Sequence, residues 1–305
     1  MEAKQLRYFL AVARAGSFVK AAEAEGVAQP SLSQMIRRLE DDLGVPLFDR
    51  LGRTVKLTAH GEALLPHAEA VLREMEMARQ AVEAGKSPER GRVRLGVIPT
   101  LLPGAAAPAV RDFERQYPEI TLELHEQVTE RLIEKLRLGE LDLALVALPL
   151  KHDEIVCSEL FREPLLAAVP PDHEMAGADA VALSKLKGEK LLLLREGHCL
   201  REDVLEACTR ARADFETFFE SDQLDSLLAL VEAGFGVSLV PATAARRNGG
   251  CRFLPLEPQA VRRVGYALAR GHHALPAQRT LVRFLKQYPW DSLFLLKGNV
   301  QKSSR

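Results

Sequence analysis

Near residue 90 the hydrophobic pattern of this 305-residue chain changes period. Before that point apolar residues recur at helical spacing and alanine is frequent. After it, short apolar runs alternate with amphipathic stretches. One layer architecture cannot satisfy both patterns, so the chain is predicted to hold at least two domains. The segment Gly85-Lys86-Ser87-Pro88-Glu89-Arg90-Gly91 is polar and rich in helix breakers, and reads as a linker. Beyond it, runs at 92–99, 120–126, 141–148, 165–170, 190–194, 236–241 and 263–269 are predicted strands. Stretches at 104–117, 128–138, 224–233 and 276–287 are predicted helices. That alternation predicts an α/β domain with mostly parallel sheets.

Hydrophobic residues make up 47% of the chain and charged residues 27%, enough for a buried core under a charged surface. The formal charge of −1 excludes a uniformly basic coat but not a local basic patch. No run of about 18 apolar residues exists, so no membrane span is expected. The opening residues MEAKQLRYFLAVARAGSF interleave charges with apolar positions, and read as folded protein rather than a signal peptide. Four cysteines are too few for a disulfide scaffold and point to a reducing, cytoplasmic compartment.

The first 60 residues carry a specific arrangement. Leu6, Phe9, Leu10 and Ala13 share one face of a helix over 4–14, which Gly16-Ser17 ends. Ser17 is placed to cap a second helix over about 18–25, with Phe18, Ala21 and Ala22 inward. Gly26-Val27 makes a tight turn, and a third helix opens at Gln29-Pro30-Ser31. Its inward stripe is Leu32, Ile36, Leu39 and Leu43. Its outward face carries Ser31, Ser33, Gln34, Arg37 and Arg38. Two short helices joined by such a turn form a helix-turn-helix, whose second helix enters the DNA major groove. Gln29 and Gln34 can bond adenine edges and Arg37 guanine edges. Downstream, Arg50, Arg53 and Lys56 sit on a short turn between strand-formers, which suits a wing riding on phosphates.

The segment AVARAGSFVKAAEAEGVAQPSLSQMIRRLEDDLGVPLFDRLGRTVKLTAHG resembles the N-terminal winged helix-turn-helix of LysR-type transcriptional regulators, and the two-part layout of that family spans the chain. The resemblance implies an all-α winged helix-turn-helix over 1–58, a dimerisation linker helix over 59–86, a hinge at 87–91 and an α/β effector domain over 92–305. It further implies that the effector domain has two Rossmann-like subdomains, like a periplasmic binding protein, with the chain crossing between them twice around a cleft.

In the linker helix Leu64, Ala68, Val71, Met75, Ala78 and Val82 alternate steps of four and three. That is a heptad seam, as expected of a helix paired with its own copy; packing onto its own domain is the alternative. Pro66 is expected to kink the helix unless it lies in the first turn. A dimer supplies two reading heads and thus an inverted-repeat operator.

The segment Gly197-His198-Cys199-Leu200-Arg201 through Cys208 follows the run at 190–194, and a helix is predicted to start just after Cys199. Its stripe of Leu200, Val204, Ala207 and Cys208 buries Cys208, while Cys199 stays at the helix mouth. A thiol there, beside His198 and Arg201, is expected to have a lowered pKa and to be oxidised readily. If 199–208 is helical, the two Cα atoms lie roughly 13 Å apart along the axis. A disulfide needs about 4.4–6.8 Å. The pair could therefore bond only if the helix unwound, which is the behaviour of a redox switch. Inert packing is the alternative for both thiols, and the expectation for Cys157 and Cys251.

GHCLREDVLEAC also resembles the sensing loop of the hydrogen-peroxide sensors among LysR-type regulators. The resemblance implies that Cys199 is the peroxidatic thiol and Cys208 the resolving one. It implies a peroxide pocket of Thr100, Thr129 and His198, with His125 and Arg201 in its neighbourhood; for the two threonines, plain helix capping stays open. Metal binding by His198, Cys199 and Cys208 is disfavoured because adjacent residues rarely chelate one ion. GVIPTLLPG lacks a dinucleotide-binding glycine pattern. No cofactor is expected. The leading expectation is a peroxide-responsive DNA-binding regulator that is not an enzyme, forms a dimer or a tetramer of two dimers, and meets RNA polymerase if it activates. A LysR-type regulator of a small organic anion is the second reading. A thiol peroxidase or solute-binding protein with a helical appendage is the third.

Overall fold

The structure is a computed structural model and describes residues 1–49, 55–84, 90–210, 216–245, 249–271 and 274–294. The chain divides into two compact units, Met1–Lys86 and Ser87–Arg305. In the first, helices α1 (Ala3–Ala15), α2 (Phe18–Ala24) and α3 (Gln29–Leu43) are followed by strands β1 (Phe48–Asp49) and β2 (Lys56–Leu57) and the long helix α4 (Ala59–Ala84). Gly16 closes α1 with φ +60°, a conformation that favours glycine, and the Ser17 hydroxyl accepts a hydrogen bond from the Lys20 amide to cap α2. Leu6, Phe9, Ala21, Leu32, Ile36, Leu39 and Phe48 form one core. β1 and β2 pair antiparallel, Phe48 opposite Leu57.

Two expectations need correction here. Leu43 does not join the stripe of α3; it is 39% exposed, because it is the last helical residue before Gly44 turns the chain. The expected seam of α4 also splits. Ala68 is fully buried in the core shared with α1, and Leu64 is packed against that core, so these two positions serve their own domain. Val71 and Met75 are each 43% exposed and Val82 is 73% exposed. Ala78 is exposed as well. Pro66 lies inside α4, on its exposed side, and helix continues on both sides of it.

The second unit runs β3 (Gly91–Val97), a π turn (Leu102–Ala106), α5 (Ala107–Gln116), β4 (Ile120–Glu126), α6 (Thr129–Arg137), β5 (Leu143–Leu148) and β6 (Ile155–Val169). It continues with β7 (Val181–Ala182), β8 (Lys190–Leu194), α7 (Cys199–Arg210), β9 (Glu216–Ser221), α8 (Leu224–Glu232), β10 (Ser238–Pro241), α9 (Ala242–Ala245), β11 (Arg252–Glu257), β12 (Val261–Ala269) and α10 (Pro276–Gln287). The main sheet has the order β4-β3-β5-β12-β6-β11-β7, with β10 also paired to β6, and β8 pairs β9 separately. β3 is parallel to both β4 and β5, whereas β12 is antiparallel to β5 and β6.

The sheet is therefore mixed rather than mostly parallel, and the reason is the crossing of the chain between two subdomains. β6 is 15 residues long. Its residues 155–164 pair with β12, and its residues 165–169 pair with β10 and β11. A strand that crosses from one subdomain to the other gives each of its halves to a different set of partners. The hydrophobic core is divided accordingly: Leu95, Val97, Phe113, Leu132 and Val146 form one cluster, and Leu191, Leu192, Val204, Leu227 and Leu239 another.

Candidate redox site and DNA-reading surface

β8 ends at Leu194, and Gly197, at φ +95°, turns the chain so that Cys199 becomes the first residue of α7. The positive end of the helix dipole therefore lies at the thiol. Cys199 Sγ is hydrogen-bonded to Thr129 Oγ1 at 2.6 Å. Thr129 is buried and is the first residue of α6, but it does not cap that helix: the N-cap position is Val128, and the threonine hydroxyl is turned to the cysteine. Cys199 packs against the first core cluster, whereas Cys208, nine positions later in the same continuous helix, is fully buried in the second. All four cysteines are free. Helix geometry separates Cys199 and Cys208 by roughly 13 Å of axial rise, so a bond between them requires α7 to unwind.

The lowered thiol pKa expected for Cys199 is not what the surroundings produce. Burial pushes the Cys199 thiol up, and the nearby Asp203 and Glu202 carboxylates add to the rise. The Thr129 hydroxyl and the Arg262 guanidinium pull the other way. Neither of the two neighbours expected to lower it does so. Arg201 donates to Glu220 Oε1 at 2.6 Å and to the Leu194 carbonyl at 3.1 Å. His198 is buried, and that burial holds its imidazole below the ordinary value, leaving it neutral near pH 7. Cys208 is pushed up to about 11 by burial, so it stays a thiol until the helix opens. Cys157 and Cys251 are also raised by burial.

The residues expected around peroxide are divided between two cavities. Cys199 and Thr129 line one of about 490 Å³, with Asp203, Glu202, Lys151 and His152. Thr100 and His198 line a second of about 540 Å³, with Glu126, Asp222, Asp225 and Thr243. His125 sits on β4 opposite Gly96 and belongs to neither wall.

Sequence reasoning missed the polar node behind both. Arg262 on β12 and Glu163 on β6 are fully buried and paired, with Arg262 Nε to Glu163 Oε2 at 2.8 Å. Arg262 also donates to Thr100 Oγ1 at 2.8 Å, and Glu163 accepts from the Thr243 amide and hydroxyl at 2.9 and 2.6 Å. The two crossing strands thus pin Thr100, after β3, to Thr243, in α9. Gly104 permits this approach, since a Cβ there would sit 2.6 Å from Thr243 Cβ. The strand alternation around Glu163 and Arg262 carries no mark distinguishing them from solvent-facing charges. Asp203, one helical turn after Cys199, is also absent from the expected site, although its spacing places it on the same helix face.

In the first unit, α3 exposes Gln29, Ser31, Gln34, Arg37 and Arg38, with Ser33 partly covered. This is the polar face expected of a recognition helix. Lys56 is exposed on β2. Arg50 and Arg53 lie outside the described residues.

Residues 3–62 match the bacterial regulatory helix-turn-helix family of LysR type, and residues 86–290 match the LysR substrate binding domain. The chain is 35% identical over 275 residues to the DNA-binding transcriptional dual regulator OxyR of Escherichia coli K12, covering 89% of this chain and 90% of that protein. A substituted full-length OxyR from Pseudomonas aeruginosa superposes with a TM-score of 0.76 at 32% identity, covering 94% and 95% of the two chains. A mutant OxyR of Corynebacterium glutamicum with H2O2 bound superposes with a TM-score of 0.65 at 28% identity, covering 96% and 94%. With both of its units matched and its length almost wholly aligned, the chain belongs to the LysR family of transcriptional regulators and is homologous to OxyR.

Proposed function

We propose that this regulator binds an inverted-repeat DNA operator as a homo-oligomer and changes its output when hydrogen peroxide oxidises Cys199. Cys199 becomes a sulfenic acid, which the Cys208 thiol attacks, forming the disulfide and releasing water. The observation that carries this reading is the Cys199–Thr129 contact at a helix mouth, with the second thiol held in the other core by the same helix. Oxidation pulls α7 apart because its two ends belong to different clusters, and the repacking of the second core is the signal. Peroxide is spent once per switching event, so the protein acts as a regulator and not as an enzyme. It works in the cytoplasm and meets RNA polymerase when it activates.

In this reading residues 1–58 read DNA, the helix over 59–86 joins the protomers, 87–91 is the hinge and 92–305 sense the oxidant. Gln29, Ser31, Ser33, Gln34 and Arg37 address the major groove, and Arg50 and Arg53 the phosphates. Thr129 holds the reactive sulfur. Thr100 and His198 shape the neighbouring cavity, and Arg201 anchors the start of α7 through Glu220. The organic-anion reading is disfavoured by the same cavity: Glu126, Asp222 and Asp225 line it, and His198 there is neutral.

The test is peptide mass spectrometry after brief, substoichiometric peroxide, paired with footprinting on the operator. Cys199 is expected to oxidise first and the footprint to change with the disulfide. In Cys199→Ser neither event occurs; in Cys208→Ser oxidation stops at Cys199. A footprint that changes while Cys199 stays reduced overturns the reading.

A further inference from the structure

Asp203 stands on α7 four residues after Cys199, so the two side chains share one helix face at about 5–6 Å between Cβ atoms. Both line the same cavity, together with Thr129. The Asp203 carboxyl is mostly withdrawn from water, and its Oδ2 is fully buried without a hydrogen-bond partner among the described residues. A buried carboxylate oxygen left without a donor is costly for structure alone, and such groups gather where chemistry is done. No other part of the switch described above uses it.

Resting on the peroxide reading of Cys199, we propose that Asp203 is the proton shuttle of that reaction, taking the thiol proton as sulfur attacks and returning it to the departing oxygen. The Cys199 S–H proton passes to the Asp203 carboxylate while the sulfur electron pair forms a bond to the nearer peroxide oxygen. The O–O bond breaks, and its electron pair leaves on the farther oxygen, which takes the proton from Asp203 and departs as water. Cys199 ends as a sulfenic acid, the nearer oxygen keeping its own hydrogen. Peroxide is reduced, and Asp203 is a carboxylate again.

Such a group is required because the Cys199 thiol is raised rather than lowered by its surroundings, so little free thiolate exists at neutral pH. The groups around Asp203 prepare it for this task. Glu202 and Glu206 on its own helix and Glu163 on β6 oppose its charge, while Arg262 on β12 favours it. The cavity wall adds Glu130 from α6, and Lys151 and His152 from the segment after β5. Burial is the largest influence, and the carboxyl is pushed up to about 6, close to the working pH, where a general acid–base is most effective.

The experiment follows sulfenic-acid formation at Cys199 in the full-length Cys208→Ser protein, by dimedone trapping and mass spectrometry, over pH 5 to 8 with hydrogen peroxide as the probe. The rate is expected to climb through a limb near pH 6 as Asp203 ionises. Asp203→Asn is expected to lower the rate at pH 7 about 100-fold and to abolish that limb. Asp203→Glu is expected to keep the limb and part of the rate. Thermal unfolding of each variant confirms that it is folded. An Asp203→Asn protein with the parent rate and parent limb overturns the proposal, and so does one whose rate falls while the limb persists. A parent whose Cys199 does not oxidise overturns the peroxide reading itself, and the shuttle with it.

Discussion

Asp203→Asn makes a second, thermodynamic test that needs no peroxide. In the folded chain the Asp203 carboxyl is raised from 3.8 to about 6, chiefly by burial. The folded state therefore holds its proton up to about pH 6, while the unfolded chain releases it above about 4. Between those values the unfolded state binds fewer protons, so stability falls as pH rises, and above pH 6 the whole penalty is present. That rise in pKa corresponds to about 3 kcal/mol, an upper bound because the side chain is not wholly shielded from water. An amide of the same shape carries no such penalty. The variant is expected to be more stable than the parent at pH 7.5, by up to about 3 kcal/mol, and to match it near pH 4. The measurement is urea unfolding of both proteins at several pH values, comparing midpoints at unchanged slope. Using the difference cancels every other carboxylate. A variant that is less stable at pH 7.5, or whose advantage persists unchanged to pH 4, refutes the claim that burial penalises the charged form of Asp203.

Thr129→Val removes the hydroxyl 2.6 Å from the Cys199 sulfur, so the thiol rises further and its oxidation by peroxide slows about tenfold, as thiol-trapping rates will show. Arg262→Met leaves Glu163 buried without its partner, at an expected cost of about 3–5 kcal/mol to the second unit in denaturant unfolding. Glutamates at Val71 and Met75 together leave the fold of the first unit intact but separate the protomers in sedimentation, because both side chains stand exposed on α4. Gln34→Ala is expected to weaken operator binding by about 1–3 kcal/mol and to relax base preference, measured by gel shift on matched and mutated operators.

How much of the fold is legible in the sequence differs between the two units. In the first, the signals are local: Gly16 can adopt a left-handed φ, Ser17 can cap, Pro30 can open a helix, and the apolar positions repeat every three or four residues. Interactions within a few residues dictate these elements, so they survive being read one stretch at a time. The helix from Cys199, the burial of Cys208 and the mechanical cost of joining them were legible for the same reason. Helix rise and period are properties of the chain alone.

Long-range packing controlled the rest. Whether a heptad position on α4 faces a partner or its own domain depends on where α1 lies, and Ala68 and Val71 went different ways although they share one periodicity. The first ten residues of β6 are not among the predicted strands, because their backbone is paired only when β12, about a hundred residues later, is laid beside them. Glu163 and Arg262 look like surface charges in any local window; only the crossing of two strands removes them from water and makes them a pair. The Cys199 thiol is the clearest instance. Its helix mouth, His198 and Arg201 are neighbours in sequence and predict activation. Its pKa is set instead by burial, by Asp203 one turn along the same helix, and by Thr129 and Arg262 on other elements, whose proximity no single segment encodes.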